Sequence, residues 1–268
     1  MKLIGVGDNV LDHYVDQSLM YPGGNAVNVA VYASRIGMQT AYIGSVGKDA
    51  AGRWLKESLF AEGVDVSRVK VLEGKTNICH VALVEGDRTF VGSDGGVSDE
   101  LVLTEEDFAF ISGFDLVHSS IYSCLENQLE ELSAVSKCLS FDFSNDSDQE
   151  YRKRVLPQLD AAFFSGSELS DGEMEELFDE CRKAQVELCL ITRGSQGAIL
   201  EYKGSRYQQG ITPTDVVDTL GAGDGFIAAL LLALYVQKLD PQTSMKKASE
   251  FAAKVCTDFG AFGRAMSY

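Results

Sequence analysis

Short apolar segments alternate along the chain with longer segments in which apolar residues recur at helical spacing. The short segments predict strands at residues 2–7, 39–46, 116–120, 139–143, 161–164 and 186–192. The longer segments predict helices at residues 25–36, 50–61, 125–137, 171–184, 224–237 and 243–258. Strands that alternate with helices form parallel sheets with helices on both faces. We therefore predict an α/β fold with a doubly wound, mostly parallel sheet.

Two segments depart from this alternation and predict antiparallel hairpins. Two mostly apolar segments, residues 80–84 and 88–91, flank the turn at 85–87. Residues 198–202 and 206–210 flank Gly204-Ser205. Glycine in so short a connection favours a tight turn. The segment Thr104-Glu-Glu-Asp107 predicts a capping box that begins a further helix. Because no linker or internal repeat divides the chain, we expect one domain over residues 1–268 with a small β addition.

The charge of the chain limits its partners. Lys and Arg total 23 and Asp and Glu total 40, so the net charge is −17. Such a surface repels nucleic-acid backbones and anionic lipid, and we expect neither as a partner. The apolar run from Phe226 to Val236 is too short for a membrane span of about 20 residues. Glycines interrupt the first apolar segment, so we expect no cleavable signal, and six scattered cysteines without a CxxC pair fit a cytoplasmic protein.

The sharpest chemical signal is the segment Asp218-Thr-Leu-Gly221-Ala222-Gly223-Asp224, which a buried helix follows directly. Glycines let backbone N–H groups converge on one point, and a helix N-terminus adds positive potential there, so the segment predicts an anion site. Beside a bound phosphate, the Asp224 carboxylate could accept the proton of a hydroxyl group that attacks this phosphate. The alternative is a purely structural turn in which Asp224 caps the helix.

Four motifs occur in an order typical of one known family. They are Gly23-Gly24-Asn25-Ala-Val-Asn28-Val-Ala30, Gly44-Ser-Val-Gly47-Lys-Asp49-Ala-Ala-Gly52, Ile191-Thr192-Arg-Gly194-Ser-Gln-Gly197 and the turn that ends in Gly221-Ala222-Gly223-Asp224. Together they resemble the signatures of the ribokinase/PfkB family of carbohydrate kinases. The resemblance implies a ribokinase-like fold with a small, reduced β lid at about residues 12–23 and 76–92. It also implies an enzyme that transfers the γ-phosphate of ATP to a sugar hydroxyl.

The resemblance implies roles for the glycine-rich turn and for the sugar site. In the family, the aspartate of Gly-Ala-Gly-Asp is the catalytic base, which corresponds to Asp224 here. The residues implied for the anion hole are Gly221, Ala222 and Gly223. The residues implied for the sugar are Asp12, Gly24 and Asn28, with nearby Asn9 as a further candidate. Paired carboxylate and amide groups suit sugar hydroxyls, which both donate and accept hydrogen bonds.

The resemblance further implies ATP and Mg²⁺ as cofactors. ATP is expected along Thr192 and Gly194, with the adenine between the last two predicted helices, and Ser165 is a further nucleotide-site candidate. The family motif Asn-x-x-Glu here is Ser165-Gly-Ser-Glu168. Glu168 is therefore expected to hold Mg²⁺ through water, whereas Ser165 departs from the family pattern and leaves the second magnesium residue open.

Three further expectations concern a second cation, a histidine and the assembly. The resemblance implies potassium as a candidate cofactor near Asp218 and Gly260. His118 lies on the predicted strand 116–120, toward the edge where ligands bind in open α/β sheets, and we expect a structural role for it rather than contact with substrate. The small-molecule partners implied are a sugar and ATP, and a homodimer is the candidate assembly.

The segment after Asp12 limits the choice of sugar. Only residues 13–22 separate Asp12 from Gly23, and they contain no Lys or Arg. Asn25 follows the double glycine, where ribokinases and fructose-1-phosphate kinases usually have Lys. An anionic sugar needs a basic clamp, for which Arg88 is a candidate, so these features argue against anionic substrates.

Several segments are similar to the fructoselysine 6-kinase branch of the family. They are Gly7-Asp8-Asn9-Val-Leu-Asp12-His-Tyr14, Gly23 to Tyr32, Val117-His118 and Phe141-Asp142-Phe-Ser144. This similarity favours phosphorylation of the 6-hydroxyl of fructoselysine or a related amino-acid-linked sugar. The alternatives are a fructokinase or ribokinase that acts on a free sugar, and a catalytically silent sugar-binding regulator. A dinucleotide oxidoreductase is a weaker alternative, because Val10 occupies the third glycine position of GxGxxG.

Overall fold

The computed structural model describes residues 1–84, 87–145 and 148–268, and its strands form three sheets. The strands, numbered along the chain, are β1 Lys2–Val6, β2 Val10–Tyr14, β3 Leu19–Gly23, β4 Gln39–Ile43, β5 Ser45–Gly47, β6 Val64–Asp65, β7 Lys70–Leu72, β8 Ile78–Val84, β9 Asp87–Asp94, β10 Leu116–Ser120, β11 Leu139–Asp142, β12 Ala161–Ser165, β13 Leu188–Thr192, β14 Ala198–Tyr202, β15 Ser205–Gln209 and β16 Met266–Ser267. The helices are α1 Asn25–Arg35, α2 Ala50–Ala61, α3 Glu105–Ile111, α4 Leu129–Val135, α5 Gln149–Val155, α6 Asp171–Lys183, α7 Ala222–Leu231 and α8 Pro241–Val255.

The largest sheet has nine strands in the order β15-β14-β13-β12-β11-β10-β1-β4-β6. The strands from β13 to β6 in this order are all parallel. At one edge, β14 and β15 run antiparallel and form the hairpin predicted around Gly204-Ser205. The mostly parallel sheet predicted from the alternation of apolar segments is therefore confirmed.

Successive residues of the central strands belong to different hydrophobic cores. On β1, Leu3 packs in the core formed with α1, α2, α7 and α8, whereas Ile4 packs in the core formed with α3, α4, α5 and α6. Leu116 and Val117 of β10 divide in the same way. Because side chains of a strand point alternately to the two faces, helices cover both faces of the sheet. This confirms the doubly wound arrangement.

A second sheet of five strands, in the order β16-β3-β2-β8-β9, contains the segments expected for the lid. The expected lid segment 12–23 contains most of the antiparallel pair β2 and β3, and β2 begins slightly earlier, at Val10. The expected segment 76–92 supplies β8 and most of β9, and β2 pairs with β8 in parallel. Of the turn predicted at residues 85–87, Glu85 and Gly86 lie outside the described residues, as does the side chain of Arg88, and Asp87 begins β9. The chain end contributes β16, which is too short to leave a pattern in the sequence.

Several element boundaries differ from the sequence prediction. The strand predicted at residues 39–46 ends at Ile43, and β5 turns away to pair with β7 in a separate two-stranded sheet. The helix predicted at residues 125–137 divides into a 3₁₀ turn, Glu126–Gln128, and α4. The helix predicted at residues 224–237 begins earlier, at Ala222, and ends in a π-helical turn. The capping box of Thr104 and Asp107 is confirmed at the start of α3. None of the helices in the described ranges has the length and apolar character needed to cross a membrane.

Candidate active site

Polar side chains gather at the carboxyl ends of five neighbouring parallel strands, β13, β12, β11, β10 and β1. They are Thr192, Ser165, Asp142 and Ser120, the last residues of their strands, and Asp8, which follows β1. In open α/β sheets, ligands bind outside this edge. The sheet therefore brings residues that are far apart in sequence to one candidate site.

The glycine-rich turn opens α7 at this edge. Gly221 is the N-cap of α7 and has a φ of 77°, a left-handed conformation that favours glycine. A Cβ at Gly221 would lie 2.5 Å from the Tyr32 hydroxyl, so a side chain does not fit. Asp224 lies inside the first turn of α7, so the alternative in which Asp224 is the N-cap is wrong. The glycine-rich turn lies at the N-terminus of a helix, which is a favourable place for a bound anion.

Not all amides of this turn are equally available to an anion. The N–H of Ala222 donates to the Thr219 carbonyl oxygen at 3.2 Å. The first intrahelical bond of α7 is that from the N–H of Gly225 to the carbonyl of Gly221, at 2.8 Å. The amides of Gly223 and Asp224 lie in the first turn, where the helix itself supplies no acceptor. Of the anion-hole amides predicted from the sequence, that of Gly223 is therefore better placed than that of Ala222.

Two asparagines of α1 hold the carboxylate of Asp224. The Asn25 Nδ2 donates to Asp224 Oδ1 at 2.7 Å, and the Asn28 Nδ2 donates to Asp224 Oδ2 at 2.7 Å. Burial raises the pKa of Asp224 well above its usual value, and the nearby Asp142 carboxylate raises it further. The hydrogen bonds from the two asparagines oppose this rise. Near neutral pH this carboxylate is consequently a stronger base than an exposed aspartate.

The candidate sugar residues Asp12 and Asn28 meet beside Gly23. A Cβ at Gly23 would lie 2.6 Å from Asp12 Oδ2 and 3.8 Å from Asn28 Oδ1, so both oxygens border the same space. Asn28 is only 3% exposed, and within the described residues its Oδ1 has no hydrogen-bond partner. A buried acceptor without a partner is costly unless a ligand satisfies it. The structure thus places Asp12, Asn28 and Asp224 around one space that suits hydroxyl donors.

The other two candidate sugar residues lie next to this space. Gly24 has a φ of 112°, and a Cβ there would lie 2.7 Å from the Cα of Asn9, so glycine allows the two segments to approach closely. Asn9 is buried, and its Nδ2 donates to the Tyr42 hydroxyl at 2.9 Å and to the Ser45 carbonyl at 2.8 Å. The amide nitrogen of Asn9 is therefore engaged within the protein.

A cavity of about 710 Å³ lies beside the turn, and its lining does not include Asp12, Asn28 or Asp224. It brings together the predicted nucleotide residues Ser165, Thr192 and Gly194 with Ala222 and Gly223 of the turn. Residues from α7, α8 and the turn after α8 also line it: Phe226, Ser249, Ala252, Ala253 and Cys256. This volume is typical of small-molecule sites. All of its described lining residues are uncharged, so a nucleotide triphosphate bound there would rely on backbone amides and a bound cation for charge neutralisation.

The predicted cation residues are only partly brought together. Glu168 lies in the exposed turn after β12, between Ser167, which lines the cavity, and α6. The described residues contain no group of three or more His, Cys, Asp or Glu side chains that could hold a metal. Glu168 is the one carboxylate predicted for Mg²⁺, an ion that commonly takes one or two carboxylates together with substrate phosphates and water. Asp218 and Gly260, the potassium candidates, are in contact, because the Gly260 N–H donates to Asp218 Oδ2 at 3.0 Å.

The structure gives Asp8 a role that the sequence did not reveal. Asp8 Oδ2 accepts from the Asn25 N–H at 2.5 Å, and its Oδ1 accepts from the Ala26 N–H at 3.2 Å and from the Ser120 hydroxyl at 2.8 Å. Gly24, the N-cap of α1, has no side chain that could cap the helix. Asp8 therefore caps α1 from another segment of the chain. The signal available in the sequence was an acid directly after the first strand and beside Asn9.

Comparison with known proteins agrees with this geometry. The chain matches the pfkB family carbohydrate kinase model over residues 1–264. It is 46% identical over 272 residues to fructosamine kinase FrlD from Bacillus subtilis strain 168, covering 100% of this chain and 95% of that protein. It is 35% identical over 260 residues to fructoselysine 6-kinase from Escherichia coli strain K12, covering 97% and 99% of the two chains. Its fold resembles Arabidopsis thaliana ribokinase complexed with ribose and ATP, with a TM-score of 0.82, 20% identity and coverage of 98% and 94%.

The chain belongs to the pfkB family of carbohydrate kinases. It is a sugar kinase with a ribokinase-like fold, and kinases of this family use ATP. The family membership, the fold and the enzyme class predicted from the four sequence motifs are thereby confirmed.

Proposed function

We propose that this kinase transfers the γ-phosphate of ATP to the 6-hydroxyl of fructoselysine or a related amino-acid-linked sugar. The observation that carries the proposal is the space bordered by Asp12, Asn28 and Asp224, which lies next to the phosphate-binding turn. The carboxylates and the unpartnered Asn28 Oδ1 would accept hydrogen bonds from the sugar hydroxyls. The 46% sequence identity to a fructosamine kinase, which extends over the whole chain, supports an amino-acid-linked substrate.

In this proposal, each group of the site has one task. The Asp224 carboxylate accepts the proton of the sugar hydroxyl as the hydroxyl oxygen attacks the γ-phosphorus. The bond between the γ-phosphorus and the bridging oxygen of ATP breaks, and ADP leaves. The amide of Gly223 and the N-terminus of α7 stabilise the charge on the transferred group. Asp12 and Asn28 hold the sugar so that its reacting hydroxyl faces Asp224.

The charge of the site favours a cationic substituent on the sugar. Three carboxylates accept hydrogen bonds from Asn25. Its backbone N–H donates to Asp8, and its side-chain Nδ2 donates to Asp142 and Asp224. Burial raises the pKa of all three carboxyl groups, and the negative charge that the group carries when ionised repels an anionic substrate and attracts the secondary ammonium group of a fructosamine. Phosphorylated sugars and sugar acids are consequently expected to be poor substrates.

The first prediction concerns substrate choice. The specificity, kcat/KM, for fructoselysine is expected to exceed that for fructose and ribose by about tenfold or more. The measurement is the initial rate of ADP release with each sugar at matched ATP and Mg²⁺. A fructoselysine analogue with an ether oxygen in place of the secondary amine keeps the shape and removes the charge, so it shows how much of the preference is electrostatic. Equal or higher specificity for a free sugar would leave a general fructokinase or ribokinase.

Mg²⁺ would be held by Glu168 through water and by the phosphates of ATP, and it would neutralise charge on the transferred group. Potassium would lie at Asp218, in the segment that leads into the turn; its Oδ1 also accepts from the Leu220 N–H at 3.0 Å, and its Oδ2 accepts from the Tyr14 hydroxyl. A monovalent cation there would add positive potential near the anion site. The second prediction is therefore that replacing K⁺ by tetramethylammonium in the assay lowers kcat, and an unchanged kcat would argue against this site.

A further inference from the structure

The side chain of Asn25 makes three hydrogen bonds at the centre of the site. Its Nδ2 donates both hydrogens, one to Asp224 Oδ1 at 2.7 Å and one to Asp142 Oδ2 at 2.7 Å. Its Oδ1 lies 2.8 Å from the Nε2 of His118. All donors and one acceptor position of this amide are thus used, and each partner comes from a different element, α7, β11 and β10.

The two carboxylates and His118 together fix the amide of Asn25. Asp142 and Asp224 accept from its Nδ2, so its Oδ1 faces the Nε2 of His118 at 2.8 Å. His118 is fully buried, and burial lowers its pKa to about 3, so the ring is neutral. An amide oxygen at Nε2 requires the tautomer with its hydrogen on Nε2, and Nδ1 then accepts from the Ser140 hydroxyl at 2.9 Å, in place of the bond from this hydroxyl to the Val117 carbonyl at 3.0 Å. The reverse orientation would place an amide oxygen against Asp142 and Asp224.

We propose that Asn25, fixed by His118 and Asp142, is a positioning residue that sets the plane of the Asp224 carboxylate. Asn25 and Asn28 each hold one carboxylate oxygen, so together they prevent rotation of the group about its last torsion. Each oxygen keeps a further lone pair for the proton of the sugar hydroxyl. The inference rests on the proposed role of Asp224 as the base.

The charges around Asp224 give this arrangement a measurable signature. The charged or titratable groups around Asp224 are Asp142, Asp8 and Tyr32, together with Asp12 across the candidate sugar space and neutral His118, which reaches Asp224 through Asn25. Asn25 stabilises the ionised carboxylate through a hydrogen bond, which lowers its pKa, whereas the negative charge of Asp142 raises it. Since a general base acts only when ionised, the acid limb of the kcat profile follows this pKa.

The test compares Asn25→Ala with Asp142→Asn. Asn25→Ala is expected to lower kcat by about tenfold to a hundredfold, because a loosely held base spends less time in the reactive geometry. It is also expected to move the acid limb to higher pH. Asp142→Asn keeps an acceptor for Asn25 but removes the charge, so the acid limb should move to lower pH. The size expected for each shift is about half a pH unit or more.

A second pair of variants tests the same proposal through His118. His118→Leu removes the donor to Asn25 and is expected to lower kcat much as Asn25→Ala does. His118→Gln can still present an N–H to Asn25 and is expected to recover most of the lost turnover. The KM for ATP should change little in all four variants, because none of the altered side chains borders the nucleotide cavity.

The outcomes separate this proposal from the proposed function. If Asp224→Asn retains turnover, the role of Asp224 itself is wrong. If Asp224→Asn is inactive but Asn25→Ala and Asp142→Asn leave the acid limb in place, or move it in the same direction, the positioning role is overturned. If Asn25→Ala fails to fold, the His118 pair decides, since a His118→Gln variant as slow as His118→Leu also overturns the proposal.

Discussion

Replacing Asp224 by Asn is expected to lower kcat by at least about a hundredfold, because the loss of a general base typically costs about 10²–10⁴ in rate. The substitution keeps the shape of the side chain and removes only the proton acceptor. The measurement is ADP release with the preferred sugar at saturating ATP. Turnover like that of the unaltered enzyme would contradict the assignment of Asp224 as the base.

The Asp224→Asn variant is expected to remain folded, for a reason visible at Asn28. The side-chain NH₂ of an asparagine at position 224 would face the Nδ2 of Asn28, which is itself a donor. Asn28 can turn its own amide around and accept that N–H with its Oδ1, which has no partner within the described residues. The variant also removes a carboxylate whose ionisation is opposed by burial, so its melting temperature should be equal or higher near neutral pH. The matched control is Asp171→Asn, which removes an exposed carboxylate from the first turn of α6 and should keep full turnover.

Replacing Gly223 by Val is expected to lower kcat by about a hundredfold or more, because the side chain would keep the transferred phosphate away from the amides of the turn, and the loss of a single oxyanion-type contact has effects of this size in other enzymes. A Cβ at Gly223 meets no protein atom within 4 Å, and Gly223 lines the nucleotide cavity. The valine side chain would therefore occupy space needed by the transferred phosphate rather than distort the turn. The KM for ATP should change much less than kcat, because most of the residues that line the cavity are unaltered.

The chain offers a closely matched control for this variant. Gly172 is the second residue of α6, as Gly223 is the second residue of α7, and both glycines are exposed. Gly172→Val carries the same cost in helix propensity and should keep full turnover. Both variants should melt within about 3 °C of the unaltered enzyme. A Gly223→Val enzyme with normal kcat and weakened ATP binding alone would place the transferred phosphate elsewhere.

The repeating part of the fold was predictable from the sequence because buried parallel strands leave a strong apolar signal. The segment 116–120 was predicted with the bounds that the structure shows for β10, and most central strands differ by only a few residues. The five-stranded sheet was less predictable. The strand β2 contains the polar residues Asp12 and His13 within a short segment, and β16 has two residues, so neither has a clear alternating pattern.

The candidate site also has a part that the sequence predicted and a part that it did not. The turn around Asp224 was evident because its two glycines, its acidic residue and the apolar helix that follows are adjacent in the chain. The arrangement of Asn25, His118 and Asp142 was not, because it joins three segments that are distant in sequence and depends on which way one amide faces. Local chemistry reveals a candidate base, whereas the groups that orient this base emerge only when the sheet has brought its strand ends together.

The position of Asp12 has a consequence for motion. Asp12 lies on β2 in the five-stranded sheet, whereas Asn28 and Asp224 lie on helices packed against the nine-stranded sheet. A sugar that contacts all three residues would therefore connect the two sheets. Amide hydrogen exchange in β2 and in its parallel partner β8 should slow when sugar binds, even at amides that do not touch the ligand.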